Sequence, residues 1–142
     1  EANYANIRGS GLIVSQKLLS SMMRWERDFV AAGGLLGAGS DPWGTGFLPG
    51  FGNVRNYEML LEAGFPPAQA IQILTFNGAR ILGMEREIGA VTAGRQADLV
   101  VVRGDPTTTP RDLYNVTTVF RAGVGYDSGK LRDAARGLVG VR

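Results

Sequence analysis

Apolar residues at Leu18, Leu19, Met22, Trp25, Phe29 and Val30 fall three and four positions apart, with Arg24, Glu26, Arg27 and Asp28 mostly between them. That spacing places one apolar stripe along a helix. It predicts a helix capped by Ser15 and running to about Ala32, with Met22, Met23 and Trp25 on a packing face rather than a binding surface. Gly33-Gly34 stops it. The next run, Leu35 to Ser40, is small and apolar with no alternation. It predicts a strand buried on both faces. The strand ends at Asp41, and Pro42 keeps that residue out of a helix, so one carboxylate is delivered to a loop mouth.

Residues 42–56 read as a long loop rich in glycine and proline, yet they carry Trp43, Phe47, Leu48 and Phe51. Such a loop forms either a wall over a site at Asp41 or a plug for one end of the core. Tyr57 to Ala63 reads as a short helix stopped by Gly64. A longer helix starts at Pro66-Pro67 and runs to Leu82, with Ala70, Ile71, Leu74, Gly78, Ile81 and Leu82 on one face and Gly83 as its C′ residue. After residue 84 the period changes. Ile88–Gly94 reads as a short strand and turn, and Ala97–Arg103 as a β-branched strand. Gly104-Asp105-Pro106 is a turn, and Asp112–Tyr114 a helical turn. Val116–Arg121 is a further strand that Gly123–Tyr126 can pair with. Lys130–Arg142 is a short terminal helix. The chain thus divides into a segment over 1–84 and a second over 85–142.

Composition narrows the chemistry. The 142 residues include no histidine and no cysteine, and the net charge is +2. A Ser-His-Asp triad, a Cys-His pair and a histidine-ligated zinc are therefore impossible within this chain alone. Absence of cysteine fits a cytoplasmic origin and does not rule out the periplasm. The arginines are scattered, so no nucleic-acid footprint is expected. No apolar run is long enough to span a bilayer, and no basic-then-apolar signal segment is present. The first residue is Glu1, from which a trimmed or interior piece of a longer protein is expected. Other carboxylates read as structural. Asp98 is expected to be a buried or edge residue that bonds the preceding turn. Glu58 and Glu62, one helical turn apart, lie on a solvated face, and Glu85 and Glu87 are surface residues. Gly37-x-Gly39 and Gly44-x-Gly46 do not complete a phosphate-binding pattern.

Four segments, in order, carry a resemblance to a known family. They are Leu35-Leu-Gly-Ala-Gly-Ser-Asp41; Gly46-Phe-Leu-Pro-Gly-Phe51 followed by Glu58 and Leu60-Leu-Glu-Ala-Gly64; Pro67-Ala-Gln-Ala-Ile71 through Thr75-Phe-Asn-Gly-Ala79 to Leu82-Gly83; and Gly89-Ala-Val-Thr-Ala-Gly-Arg-Gln-Ala-Asp-Leu-Val-Val-Val102. Together they resemble the C-terminal part of metal-dependent amidohydrolases of the imidazolonepropionase-like and prolidase-like type. Two departures are local to one helix: Gly78 stands where that family usually has proline, and Pro66 where a Ser/Thr cap is usual.

The resemblance implies an α/β fold: the last βα units of a TIM-type barrel over 1–84, then part of a small β-sandwich domain over 85–142. It implies that Asp41 ends the eighth barrel strand, binds the metal and shuttles a proton between water and the leaving amine. It implies zinc or another divalent metal in the complete enzyme, and hydrolysis of C–N bonds in a small-molecule amide, a cyclic amide or a dipeptide. The family's histidine ligands are missing, so the chain alone is expected to be inactive and to hold no cofactor. Its expected partner is an N-terminal barrel portion or a second copy. The alternative is a non-catalytic binding or assembly module that retains the amidohydrolase tail.

Overall fold

The computed structural model describes residues 16–40 and 51–138. Asp41, the Ser15 cap, the loop over 42–50 and the tail beyond 138 lie outside the described residues. The described chain is α/β, and helices fill its first part. Helix α1 is Gln16–Ala31, close to the range its periodicity predicts. Gly33 ends it with φ 89°, a conformation open to glycine at little cost. Residues 34–40 then run without helix or turn, and they form no ladder with any described strand. The expectation of a fully buried strand is corrected to an irregular, mostly half-buried segment. Its residues have strand character, and the described chain offers it no neighbouring strand.

Helix α2 is Phe51–Glu62. The predicted loop therefore ends sooner than expected, because residues 51–56 are helical. Their Gly52, Asn53 and Asn56 are poor helix formers, and tertiary packing overrides that preference. Tyr57, on the same helix, is completely buried. Pro66 precedes α3, Pro67–Gln72, where proline suits the first turn. The chain continues without a break through a π-helical turn, Ile73–Asn77, into α4, Gly78–Ile81. A π turn inserts an extra residue and rotates the face that follows. The buried positions are accordingly Ala70, Ile73 and Ala79, while Ile81 and Leu82 of the predicted face are exposed. The Thr75 hydroxyl donates to the Ile71 carbonyl at 2.7 Å within this distorted stretch.

The core gathers Tyr57, Leu60, Ala63 and Phe65 with Ala70 and Ile73, and Met23, Val30, Leu36, Ala38 and Leu113 pack around it. One side of α1 thus reaches the core. The other side does not: Leu18, Met22, Trp25 and Phe29 are exposed, which corrects the expectation that Met22 and Trp25 pack inside.

Residues 88–94 form turns rather than the expected short strand. They wrap the end of the helical run, where Arg95 lies over the Phe76 ring at 5.7 Å and donates to the Ile88 carbonyl. A three-stranded antiparallel sheet follows in the order β1-β2-β3: β1 Leu99–Val102, β2 Val116–Arg121 and β3 Val124–Asp127. Leu99 pairs with Phe120, and the register shifts between Val101 and Val102. A 3-10 turn, Pro110–Tyr114, joins β1 to β2. The terminal helix α5 is Ser128–Ala135, earlier than predicted because Asp127 caps it by accepting from the Lys130 amide at 2.8 Å.

Candidate functional site

The segment over 35–40 is held at three points. Asn77, at the end of the π turn, donates from Nδ2 to the Leu36 carbonyl at 2.8 Å. Gly37 lies against Ile81: a Cβ there would come within 2.5 Å of the Ile81 Cδ1. Ser40 packs on Gly52 of α2, where a Cβ would meet the Ser40 Cβ at 2.5 Å, and its hydroxyl donates to Asn53 Oδ1 at 2.9 Å. Two glycines therefore permit the close approach, and two asparagines hold the chain in place. The last anchored residue is Ser40, one position before Asp41. The run that leads to the candidate carboxylate is thus pinned, while Asp41 itself lies outside the described residues.

A cleft of about 130 Å³ adjoins this segment between α1 and α2, lined by Met22, Met23, Glu26, Ala38, Asn56 and Met59 among others. Asn56 Nδ2 is buried there without a hydrogen-bond acceptor among the described residues.

Asp98, Glu58 and Glu62 serve structure. Asp98 accepts the Ala122 amide at 2.6 Å and the Gln96 side chain at 2.7 Å. Ala122 and Gly123, both at positive φ, form the two-residue turn between β2 and β3. Asp98 therefore secures a turn 24 residues later in addition to its near neighbour Gln96, which extends the expected local role. The Ala122 amide holds its carboxyl below the usual range.

Glu58 and Glu62 are not merely solvated. Arg55 pairs with Glu62 at 2.6 Å and with Glu58 at 3.2 Å, and the Tyr114 hydroxyl donates to Glu58 at 2.7 Å. The Tyr114 hydroxyl, then Arg55, lowers the Glu58 carboxyl, and the same carboxylate raises the Tyr114 phenol. A second tie runs nearby, from the Tyr57 hydroxyl to the Pro106 carbonyl at 2.7 Å. Burial, then Asp105, raises the Tyr57 phenol. These contacts lock α2, and so the Gly52–Asn53 platform under Ser40, to the turns flanking the sheet. The sequence signal for this tie was the aromatic pair Tyr57 and Tyr114, each beside a carboxylate or a turn.

Among the described residues no group of three His, Cys, Asp or Glu side chains could hold a metal. The complete sequence contains no histidine or cysteine, so any metal donors from this chain would be oxygen ligands such as carboxylates, without imidazole or thiolate.

A family model described as the amidohydrolase family matches residues 16–125. The chain belongs to the amidohydrolase family. An adenine deaminase from Paracoccus denitrificans is 37% identical over 71 residues, covering 50% of this chain and 11% of that enzyme. A 5-methylthioadenosine/S-adenosylhomocysteine deaminase from Moorella thermoacetica is 54% identical over 58 residues, covering 40% of this chain and 14% of the enzyme. A Bifidobacterium longum protein described as a prolidase superposes with a TM-score of 0.66 and 34% identity, covering 75% of this chain and 26% of that one. The amidohydrolase chain described here thus spans about an eighth of the length of those two curated relatives and about a quarter of the solved one.

Proposed function

We propose that this chain is the C-terminal portion of an enzyme that hydrolyses a C–N bond. Residues 1–84 would be the last βα units of a TIM-type barrel, and 85–142 part of a small β-sandwich domain. The observation that carries this reading is the family match over 16–125, which spans the segment over 35–40 anchored up to Ser40. Asp41 follows at the end of that segment, the position where barrel enzymes of this architecture carry their chemistry. A carboxylate there can take a proton from the attacking water and return it to the departing nitrogen. Deaminases and a prolidase among the relatives share that bond type: a carbon–nitrogen bond opened by water. The substrate class is accordingly a small amide, a cyclic amide, an amino-substituted ring or a dipeptide.

The complete enzyme would hold zinc or another divalent metal, with most ligands supplied from outside these 142 residues. On this reading the chain alone is inactive. Bound zinc and amide turnover of the purified chain test it: neither is expected, and stoichiometric metal with turnover would overturn it.

A further inference from the structure

We infer that the loop over 103–115 is a clasp that closes the helical core and makes helices and sheet open as one unit. The loop joins β1 to β2, and its neck is shut where the Arg103 amide donates to the Asn115 carbonyl at 2.9 Å. It is braced from within. Asp105 accepts from the Thr107 amide at 2.9 Å and from its hydroxyl at 2.6 Å. Asp112 accepts from the Asp105 amide at 3.0 Å and from the Asn115 side chain at 3.2 Å. Adjacent residues of α2 hold the braced loop at both ends. The buried Tyr57 hydroxyl donates to the Pro106 carbonyl near its start, and Tyr114 near its end donates to Glu58, each at 2.7 Å. Leu113, beside Tyr114, packs against the core that contains Tyr57.

The sheet needs this hold. Its strands are short, β3 is exposed along its whole length, and Val100 and Val101 of β1 are exposed as well. A small sheet of this kind is stable only with an apolar face covered or packed against a helix. The contact of Arg95 with Phe76 bears on the chain before β1. The clasp instead grips the hairpin of β1 and β2 by its connecting loop. The helices gain in turn, because Leu113 and Pro106 come from the second segment and meet the core and Tyr57 of the first. The change of sequence character at residue 84 is then no boundary of independent folding: the core crosses it. This inference is independent of the catalytic reading above.

The test is native-state hydrogen exchange of the 142-residue chain in rising urea. In the parent, the slowest amides of α2 and of β2 should share one opening free energy and one urea slope, as a single cooperative unit does. Tyr57→Phe with Tyr114→Phe keeps both rings and removes both hydroxyls. In that variant the β2 amides should exchange at least about tenfold faster relative to those of α2, as loss of two hydrogen bonds allows. Tyr114→Phe alone, at a half-exposed side chain, should open a gap of about threefold in the same direction. The single variant decides the matter if circular dichroism shows the double variant unfolded. Tyr126→Phe, on β3, should open no gap. A parent in which α2 and β2 open separately would overturn the inference. So would clasp variants that leave exchange unchanged, or that speed α2 and β2 equally, which marks a plain loss of stability without uncoupling.

Discussion

Asn77 donates from Nδ2 to the carbonyl of Leu36 across 2.8 Å, joining residues 41 apart in the chain. This bond ties the π turn to the segment that leads to Asp41. It also satisfies a main-chain acceptor in a segment that has no ladder of its own among the described residues. A π turn at this point moves Asn77 off the phase an uninterrupted α-helix would give it, so the distortion and the contact belong together.

Asn77→Ala should therefore lower stability by about 1–2 kcal/mol, the cost of a part-buried hydrogen bond with its carbonyl left unmet. Urea unfolding measures it. Hydrogen exchange should quicken over 35–40 and leave β2 unchanged, because the loss is local to the pinned segment.

Tyr57→Phe isolates the second tie. Tyr57 is fully buried and its hydroxyl donates to the Pro106 carbonyl. The ring keeps its packing, so the expected cost is about 1 kcal/mol. Ile73→Ala should cost more, about 2–5 kcal/mol, since it empties volume beneath the π turn. An Ile81→Ala change should cost far less, because Ile81 is exposed in this chain. Paired denaturation curves for the two isoleucines check the rotation of the buried face.

That rotation marks where sequence pattern stops being a guide. A helical wheel assumes one period, and the π turn breaks the period between Ile73 and Asn77. Leu74 and Ile81 fit the wheel, yet Ile73 is the buried residue. The first residues of α2 were hidden for another reason. Gly52 and Asn53 look like loop residues, and they are helical because Ser40 packs on them. Residues 35–40 read as a buried strand, but a ladder needs a partner, and they pair with no strand among the described residues. Where structure depends on neighbours in sequence, the reading was close. Helix α1 and the pairing of β2 with β3 follow from periodicity, β-branching and the Ala122-Gly123 turn. For Asp41 the signal was the apolar run ending in a carboxylate before proline. Only its anchored approach through Ser40 lies within the described residues.

The Glu58–Tyr114 contact predicts a pH profile. Glu58 titrates below its ordinary value of 4.5 when folded, chiefly because the Tyr114 hydroxyl and Arg55 favour its charged form. Its contribution is present above the unfolded value and is lost as pH falls through the lowered folded value. Tyr114 titrates above its ordinary 10.0 because Glu58 favours the neutral phenol. Its contribution is present below the unfolded value and is lost as pH rises through the raised folded value. Stability should thus have an acid limb and an alkaline limb from one contact. Glu58→Gln should flatten the acid limb where pH falls from the ordinary 4.5 towards the lowered folded value, and leave stability near neutrality without a new slope, measured as the urea midpoint. An acid limb as steep as the parent's would show that other carboxylates, such as Asp98 and Asp105, dominate it.

Gly104→Ala tests the turn after β1. Gly104 sits at φ 103°, and a Cβ there would collide with the Asp112 carboxylate that accepts the Asp105 amide. The substitution should cost about 1–3 kcal/mol in thermal or urea unfolding. Gly39→Ala, where a Cβ would meet nothing within 4 Å, should cost much less.

The most direct measurement of the central claim is C–N bond turnover by the chain alone, by its complex with the remainder of an amidohydrolase barrel, and by the Asp41→Asn form of that complex. The account predicts no turnover and no stoichiometric zinc for the chain alone. It predicts turnover for the complex, and a loss of about 10²–10⁴-fold with Asp41→Asn at unchanged complex stability, as removal of a proton-transferring carboxylate brings. Turnover by the chain alone, or an Asp41→Asn complex as fast as the parent, would contradict it.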